Sequence, residues 1–366
     1  MNNSTENNHI DEFRNSENVM KMVDILSSYS GRNITLMEVC GTHTMSIYKH
    51  GIRGILPKNI SIVSGPGCPV CVTPSSYIDC AVKLAKNKEV ILATFGDMMR
   101  IPGSVSSLSE EKARGSNIKI IYSPLDCLKL ASENPDRRIV FLSVGFETTT
   151  PIIALTILEA EKNGINNFSI LTANKTMPEV LRTLVKDKDL DIDGFIYPGH
   201  VSAIIGTSAY EELAFNYKVS GVIAGFEPLD ILYAIIKLSA NINDGRIIAQ
   251  NLYSRVVKSE GNVKALKTMY EVFEPCDSEW RGIGKIASSG LQVKEKYVRF
   301  DAWKIFDVKP EKTVTSDKCL CGMVLKGRKS PGQCSLFGKE CTPEKPVGAC
   351  MVSSEGTCAA FYKYGG

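Results

Sequence analysis

The feature that most constrains the fold is an alternation of strand and helix patterns between residue 19 and about residue 245. Short apolar runs rich in β-branched residues alternate there with segments of helical periodicity, which predicts parallel sheets flanked by helices. Eight strands are more than one mononucleotide-binding half contains, and they are enough for two such halves. They are predicted at 35–39, 60–63, 90–95, 118–122, 139–144, 169–172, 194–197 and 221–224.

Two similar motifs support a pair of α/β units. SVGFETTTP (143–151) and IAGFEPLD (223–230) both read as a strand, then Gly-Phe-Glu, then a helix. We therefore predict an α/β fold with two Rossmann-like parallel-sheet domains facing a cleft, followed by a cysteine-rich C-terminal region. The predicted parts are a disordered polar tail at 1–18, α/β domains at 19–138 and 139–245, and a C-terminal region at 246–366. The C-terminal region holds a strand pair or a return to an earlier sheet near 284–306, and a cysteine-rich segment at 311–366.

Composition excludes several classes of function. The net charge is +3, with 43 basic residues scattered among 40 acidic ones, so nucleic acid is not expected as a partner. No apolar run approaches the roughly 18 residues that span a bilayer, and the first eighteen residues contain no apolar signal-peptide core. We expect a cytoplasmic protein without a membrane association, in which reduced cysteines serve metal binding or redox chemistry.

Cys40 directly follows the predicted strand at 35–39 and precedes Gly-Thr-His-Thr. A lone cysteine at such a place is more often a small buried residue than a ligand. His43 shifts that balance, because imidazole binds metals and also stabilises a neighbouring thiolate. We therefore predict Cys40 and His43 as candidate functional residues.

Cys68 and Cys71 form a Cys-Pro-Val-Cys motif before a helix. Two thiols at this spacing close a disulfide or hold one metal ion, and the helix N-terminus favours an accessible thiolate of low pKa. The alternative is a pair of incidental cysteines in a tight turn. The segment GPGCPV also resembles the start of a dinucleotide fingerprint, but Val70 is too bulky for the position of its third glycine, which excludes nicotinamide and flavin binding.

Other strand-end loops supply weaker candidates for cofactor binding, because open α/β sheets bind ligands at the carboxyl ends of their strands. For each of them a helix cap or a satisfied buried polar group is an equally good interpretation. They are Glu147, Thr148, Thr149, His200 and Glu227.

The segment 311–366 carries six cysteines. A zinc ribbon would contain two close CxxC pairs, and this segment contains none, so a zinc ribbon is not expected. Widely spaced cysteines on Gly- and Pro-bearing loops suit a cubane iron–sulfur cluster. The segment is poor in apolar residues and is expected to need such a cofactor to become ordered. Spacing alone does not decide which four of the six cysteines are the ligands.

Six longer motifs are specific when they are taken together: MEVCGTHT (37–44), SGPGCPVCVTP (64–74), GFETTTP (145–151), PGHVSAIIG (198–206), GFEPLDIL (225–232) and CMVSSEGTCAA (350–360). From about residue 20 to the C-terminus the chain resembles the HypD family of nickel–iron hydrogenase maturation proteins. The resemblance implies a scaffold on which iron receives cyanide and carbon monoxide, working with a HypC-type chaperone and a HypE-type cyanide donor.

The same resemblance implies roles for individual residues. The family's C-x14-C-x6-C-x16-C pattern falls on four cysteines as ligands of a 4Fe-4S cluster and leaves Cys321 and Cys350 as spare thiols. Cys40 becomes the best candidate for the iron ligand, with His43 as a direct ligand or as a neighbour that contacts the ligand. The Cys-Pro-Val-Cys pair becomes a redox-active dithiol, with a role in holding the iron left open. The four cluster ligands are Cys319, Cys334, Cys341 and Cys358.

Two other functions stay open at this stage, a thiol–disulfide oxidoreductase fed by the cluster and a structural iron–sulfur protein that only binds partners. Cys40 separates the scaffold from the oxidoreductase, because an oxidoreductase needs only Cys68 and Cys71, while an iron scaffold needs a third soft ligand. Whether the chain turns over as a conventional enzyme is not decided by the sequence.

Overall fold

A computed structural model describes residues 15–311 and 318–365. Within them the strands are β1 Ile34–Glu38, β2 Ile60–Ser64, β3 Val90–Thr94, β4 Ile118–Ile120, β5 Arg138–Ser143, β6 Phe168–Thr172, β7 Gly194–Pro198, β8 Ser220–Ala224, β9 Ala249–Asn251, β10 Phe273–Trp280 and β11 Gly284–Val293.

The helices that accompany them are α1 Ser16–Ser27, α2 Gly41–Lys49, α3 Pro69–Val72, α4 Ser75–Ala85, α5 Leu108–Ala113, α6 Asp126–Glu133, α7 Thr150–Lys162, α8 Met177–Lys186, α9 Gly199–Ile205, α10 Ser208–Tyr217, α11 Pro228–Asn243, α12 Val263–Val272, α13 Ala302–Ile305, α14 Cys321–Leu325 and α15 Thr357–Tyr364. None of the helices in the described ranges is long and apolar enough to cross a bilayer.

Two parallel sheets carry the fold, as the sequence predicted. The first sheet has five strands in the order β2-β1-β7-β8-β9, and the second sheet has four in the order β4-β3-β5-β6. All eight predicted strands are present. The sequence missed β9, whose three half-buried residues Ala249–Asn251 contain no apolar run.

The predicted boundary at residue 138 is wrong as a division between sheets. The chain forms β1 and β2 of the first sheet, then all four strands of the second, and then returns to add β7, β8 and β9 to the first. The return places β7 beside β1, with Leu36 opposite Gly194. Parallel strands are joined by long crossovers, so order along the chain does not specify the sheet to which a strand belongs.

The predicted N-terminal tail and the predicted C-terminal strand pair both differ from the structure in their bounds. Helix α1 begins at Ser16, where the Asn15 side chain accepts the backbone N–H of Glu17 at 2.8 Å. The predicted tail at 1–18 therefore ends at least three residues earlier, and its first fourteen residues lie outside the described ranges. The strand pair expected near 284–306 is the hairpin β10-β11, and residues 295–300 and 302–305 are helical.

The hairpin is a separate two-stranded sheet that lies beside the second sheet, where Gly290 forms a bridge with Lys175. Residues 318–365, here called the tail, pack mainly on the first sheet. Strand β6 meets the segment after the hairpin through a bridge between Ile170 and Asp301. In the tail, Phe361 of α15 packs edge-on against Tyr48 of α2, with ring centroids 5.7 Å apart. One buried apolar core joins side chains at the carboxyl ends of both sheets with the tail residues Cys321 and Cys350.

Candidate functional site

The first sheet brings two cysteine-bearing loops into direct backbone contact. Strands β1 and β2 are parallel neighbours, and Cys40 and Cys68 follow their carboxyl ends as the N-cap residues of α2 and α3. Gly67 lies against the first loop so closely that a Cβ there would be 2.2 Å from the Cys40 nitrogen. The Gly41 N–H also donates to the Gly67 carbonyl at 3.1 Å. Glycine at position 67 is therefore what allows the two cysteines to be neighbours.

Cys40 lies at the start of α2 with only 6% of its surface exposed. Burial raises the pKa of its thiol to about 12, while the His43 backbone N–H at the helix N-terminus acts in the opposite direction, and Glu355 and Glu38 raise the pKa further. A soft metal ion binds the thiolate, so metal binding at Cys40 would displace a proton that this site otherwise holds firmly.

A buried carboxyl that the sequence analysis missed lies beneath Cys40. Glu38 accepts the Cys40 backbone N–H at 3.0 Å and the Thr44 hydroxyl. Burial raises the pKa of Glu38 to about 7, although the hydrogen bonds from the Thr44 hydroxyl and the Cys40 N–H oppose the effect. The only signal in the sequence was an acidic residue inside the apolar strand that leads to Cys40.

His43 is fully buried and faces the end of β8. Its Nε2–H donates to the Gly225 carbonyl at 2.8 Å. Burial lowers the pKa of His43 to about 4, so the ring is neutral and Nδ1 carries the free lone pair. That atom is buried and has no hydrogen-bond partner among the described residues. It is available as an acceptor or a ligand beside the Cys40 loop.

His200 reaches the same region from the end of β7. Phe226 separates the two histidines, with ring centroids 4.0 Å from His200 and 4.8 Å from His43. His200 is exposed, whereas His43 is not. The carboxyl ends of β1, β2, β7 and β8 therefore converge on one place, as the topology of a parallel sheet predicts.

The Cys-Pro-Val-Cys motif differs from its predicted chemistry in one respect. The Cys68 sulfur accepts the Cys71 backbone N–H at 3.2 Å at the start of α3. Both side chains are buried, with 3% and 0% of their surface exposed, and burial raises the pKa of the Cys71 thiol well above its usual range. The expectation of an accessible thiolate is therefore wrong for Cys71, because residues from the tail cover the motif.

Glu355 of the tail covers Cys40 and was also missed. It accepts the Thr42 hydroxyl at 2.7 Å. A Cβ on Gly41 would lie only 2.6 Å from the Glu355 Cβ, so the tail and α2 are in close contact. The three cysteines at the strand ends are thus buried beneath the tail instead of lining an exposed cleft.

All six tail cysteines line one small cavity, shared with the apolar side chains of Leu336, Phe337 and Met351. Soft thiol donors around an enclosed apolar space suit an iron–sulfur cluster, so these residues fit the group that the sequence predicts. Within 15–311 and 318–365, no three His, Cys, Asp or Glu side chains converge closely enough to hold a single metal ion. The six cysteines are Cys319, Cys321, Cys334, Cys341, Cys350 and Cys358.

The two tail cysteines outside the predicted ligand set form a close pair. The sulfur atoms of Cys321 and Cys350 are 2.8 Å apart and buried. Cys350 is also within hydrogen-bonding reach of Cys71 and of Cys358. Cys321 in turn contacts Cys319. The pair therefore connects the Cys-Pro-Val-Cys motif with the predicted cluster ligands.

The remaining candidates are Glu147, Glu227 and the Thr148–Thr149 pair, and they differ in burial and in hydrogen bonding. Glu147 is buried at the end of β5, where one carboxylate oxygen accepts the Met177 N–H at 2.8 Å. Burial raises its pKa to about 7, and its second oxygen has no partner in the described structure. Glu227 is the N-cap of α11 in a capping box, which favours the structural interpretation. Thr148 is exposed and Thr149 is the N-cap of α7, without a side-chain hydrogen bond.

Comparison with known proteins agrees with this geometry. The HypD family model, described as "Hydrogenase formation hypA family", matches residues 16–365. The chain is 45% identical to hydrogenase maturation factor HypD of Escherichia coli K12, over 97% of each chain. It is 44% identical to HypD of Rhodobacter capsulatus, over 95% of this chain and 94% of the relative, and 42% identical to HypD of Cupriavidus necator, over 98% and 97%.

These matches span nearly the whole chain and far exceed what a shared fold alone produces, and residues 16–365 of the family match cover the positions of every motif discussed above. A role in hydrogenase maturation implies interaction with other maturation proteins. The chain belongs to the HypD family of hydrogenase maturation factors.

Proposed function

We propose that this chain is the scaffold on which the Fe(CN)2CO unit of nickel–iron hydrogenase is assembled, with Cys40 as the thiolate ligand of the substrate iron. The observation that carries the proposal is the backbone contact between the Cys40 and Cys68 loops, which leaves no room for a side chain at Gly67. Iron that carries cyanide and CO is a soft centre, and thiolate is the ligand class that suits it.

Neighbouring groups support that assignment. His43 presents an unpaired Nδ1 on the same helix as Cys40, so it is a candidate second ligand or a hydrogen-bond acceptor for the assembled unit. Glu38 lies two residues before Cys40 in the chain, and burial raises its pKa to about 7. A carboxyl that changes charge near neutral pH would help to balance the thiol proton that iron displaces.

The thiols behind this site form a route for two-electron exchange. If Cys68 and Cys71 are oxidised, the Cys350 thiolate attacks the Cys71 sulfur, which forms a mixed disulfide and releases the Cys68 thiolate. Cys321 then attacks Cys350, which closes a Cys321–Cys350 disulfide and releases the Cys71 thiolate. The exchange moves two electrons to the motif beside Cys40 and needs no other reactant. Its geometric support is the contact of Cys350 with both Cys71 and Cys321.

Four tail cysteines would hold a 4Fe-4S cluster next to the Cys321–Cys350 pair, which lines the same cavity. They line one enclosed cavity and their thiolates suit the group. Such a cluster supplies one-electron redox chemistry when it is bound. We assign as its ligands Cys319, Cys334, Cys341 and Cys358.

We further propose a HypC-type chaperone and a HypE-type cyanide donor as partners. Burial of Cys40 beneath Glu355 means that iron delivery requires the tail to move away from α2, and a docking partner would supply the free energy for that movement. His200, which is exposed at the edge of the site, is the side chain best placed to meet the partner or the iron ligands.

Maturation in cells tests this function against the alternative of a thiol–disulfide oxidoreductase. A strain that lacks its own family member should regain hydrogenase activity with the wild-type chain and with Cys127→Ala, which removes a buried cysteine far from the site in the second sheet. Cys40→Ala should give no activity. Full activity of Cys40→Ala would favour the oxidoreductase, since that function uses only Cys68 and Cys71.

A further inference from the structure

A cavity of about 230 Å3 opens between the first sheet and the tail, and no cysteine is among the described residues that line it. Arg53 and Tyr48 line it from the sheet side, and Arg328 and Lys329 line it from the tail side. We call this cavity the basic pocket. None of the described residues that line it is an aspartate or a glutamate.

The positive charge of the basic pocket is only partly compensated. Arg328 binds two carboxylates outside the lining, Asp187 at 2.8 Å and Asp189 at 3.3 Å. Arg53 lies over the ring of Tyr48, 4.5 Å from its centroid, and it also attracts the buried carboxyl of Glu38. A positive cavity without an acidic lining attracts anions, and its protein walls reduce screening by water.

Hydrogen-bond donors in the basic pocket also lack partners. The hydroxyl of Tyr48 is buried and unpaired among the described residues, and only 5% of the surface of this side chain is exposed. The Nε atoms of Arg53 and Arg328 are likewise buried without a partner there. Buried polar groups are nearly always hydrogen-bonded, so several unpaired donors around one cavity indicate a missing acceptor.

The N-terminus of helix α15 adds to the positive electrostatic potential in the basic pocket. Helix α15 begins at Thr357, which lines the basic pocket, and its N-cap Gly356 has no side chain to satisfy the first N–H groups. A helix N-terminus carries a partial positive charge and free N–H donors, which favour an oxyanion.

We propose that the basic pocket binds a small oxyanion, a phosphate or carboxylate group, held by Arg53, the Tyr48 hydroxyl and the Arg328–Lys329 segment. The anion would connect the first sheet with the tail. Gly327 allows the tail to reach the pocket. Its positive φ turns the chain just before Arg328, and a Cβ at this position would lie 2.8 Å from the Met37 side chain.

The position of the basic pocket gives this anion a structural consequence. Gln333 and Thr357 line the pocket and directly precede Cys334 and Cys358 along the chain. A bound oxyanion would therefore brace the two tail segments that carry these cysteines. The inference does not require a cluster, since it concerns only the attachment of the tail to the sheet.

Calorimetric titration and thermal unfolding of the full-length protein test the proposal. Inorganic phosphate should bind and raise the melting temperature relative to sodium chloride at equal ionic strength. Succinate is the second probe. A response to phosphate alone assigns a phosphoryl group, whereas a response to both probes assigns a general oxyanion site. Equal melting temperatures in phosphate, succinate and chloride would overturn the proposal.

Two variants locate the site. Tyr48→Phe removes only the unpaired hydroxyl, so its melting temperature in chloride should match that of the wild type, while its phosphate affinity should fall about tenfold. Arg53→Gln should abolish the response. Arg299→Gln is the matched control, because Arg299 also lies over an aromatic ring, 4.9 Å from Phe300, but far from the pocket. Phosphate affinity unchanged in both Tyr48→Phe and Arg53→Gln would refute the assignment.

Discussion

Replacement of Gly67 by alanine should both destabilise the protein and separate the two cysteine loops. The added Cβ would lie 2.2 Å from the Cys40 nitrogen and 2.4 Å from its Cα. A Cβ atom essentially never lies within 3.0 Å of a non-bonded heavy atom in real proteins, so the loops must move apart by at least 0.8 Å, the difference between 3.0 and 2.2 Å. The atoms that must move are backbone, and a change of rotamer cannot relieve the clash.

Overpacking of this kind costs about 1–3 kcal/mol in free energy of unfolding. Urea denaturation measures that loss. Gly54→Ala is the matched control, because a Cβ at Gly54 meets nothing within 4 Å, and surface changes of this kind stay within about 0.5 kcal/mol. Iron content after anaerobic reconstitution should also fall in Gly67→Ala, since Cys40 then lies farther from Cys68. Equal stability and equal iron content in the two alanine variants would refute the idea that contact between the loops builds the site.

Three further predictions concern the tail and the buried carboxyls. Cys319→Ala should lose the broad iron–sulfur absorption near about 400 nm, while Cys127→Ala keeps it; retention in Cys319→Ala would remove Cys319 from the ligand set. Mild oxidation should link Cys321 to Cys350, because their sulfurs are already 2.8 Å apart, and peptide mapping that finds both thiols free would contradict the exchange route. Burial raises the pKa of Glu147 from 4.5 to about 7, so its ionisation favours the unfolded chain and stability should fall by about 3 kcal/mol as pH rises through that window. Glu147→Gln should lack this share of the pH dependence in denaturation curves, and an unchanged pH profile would show that Glu147 is ionised in the native state at little cost.

Individual strands and the helices that follow them were predictable, because each depends on residues that are close together in the sequence. The runs at 139–144 and 221–224 are apolar and β-branched, and each is followed by Gly-Phe-Glu and a helix, as β5 and β8 are. The proximity of Cys40 to Cys68 was predictable for a related reason. Both follow strands of one parallel sheet, and such strand ends meet at one edge.

Sheet membership was not predictable, because nothing in the sequence of β7 shows that it pairs with β1 across more than 150 intervening residues. The same limit applies to the burial of Cys71. Its thiol is covered by Ala349, whose carbonyl lies 4.0 Å from the Cys71 sulfur, and the tail that brings this residue has no periodic pattern. Contacts from an irregular segment leave no local signal.

Glu38 and Glu355 were missed for opposite reasons. Glu38 was hidden by its strand, where one acidic residue among apolar neighbours gave no motif, although its burial beneath Cys40 is what raises its pKa. Glu355 lies within the motif CMVSSEGTCAA, but no spacing rule connects it with the Cys40 loop more than 300 residues earlier. Tertiary contacts at long sequence separation define this part of the site.

We propose that Cys40 holds the iron that carries the cyanide and CO ligands. Infrared spectroscopy of the anaerobically purified complex with the HypC-type chaperone tests it most directly, because the stretching bands of these ligands lie where protein absorbs little. The wild-type complex should show cyanide and CO bands. Cys40→Ala should lose both while its far-ultraviolet circular dichroism stays unchanged. Bands of full intensity in Cys40→Ala would contradict the account.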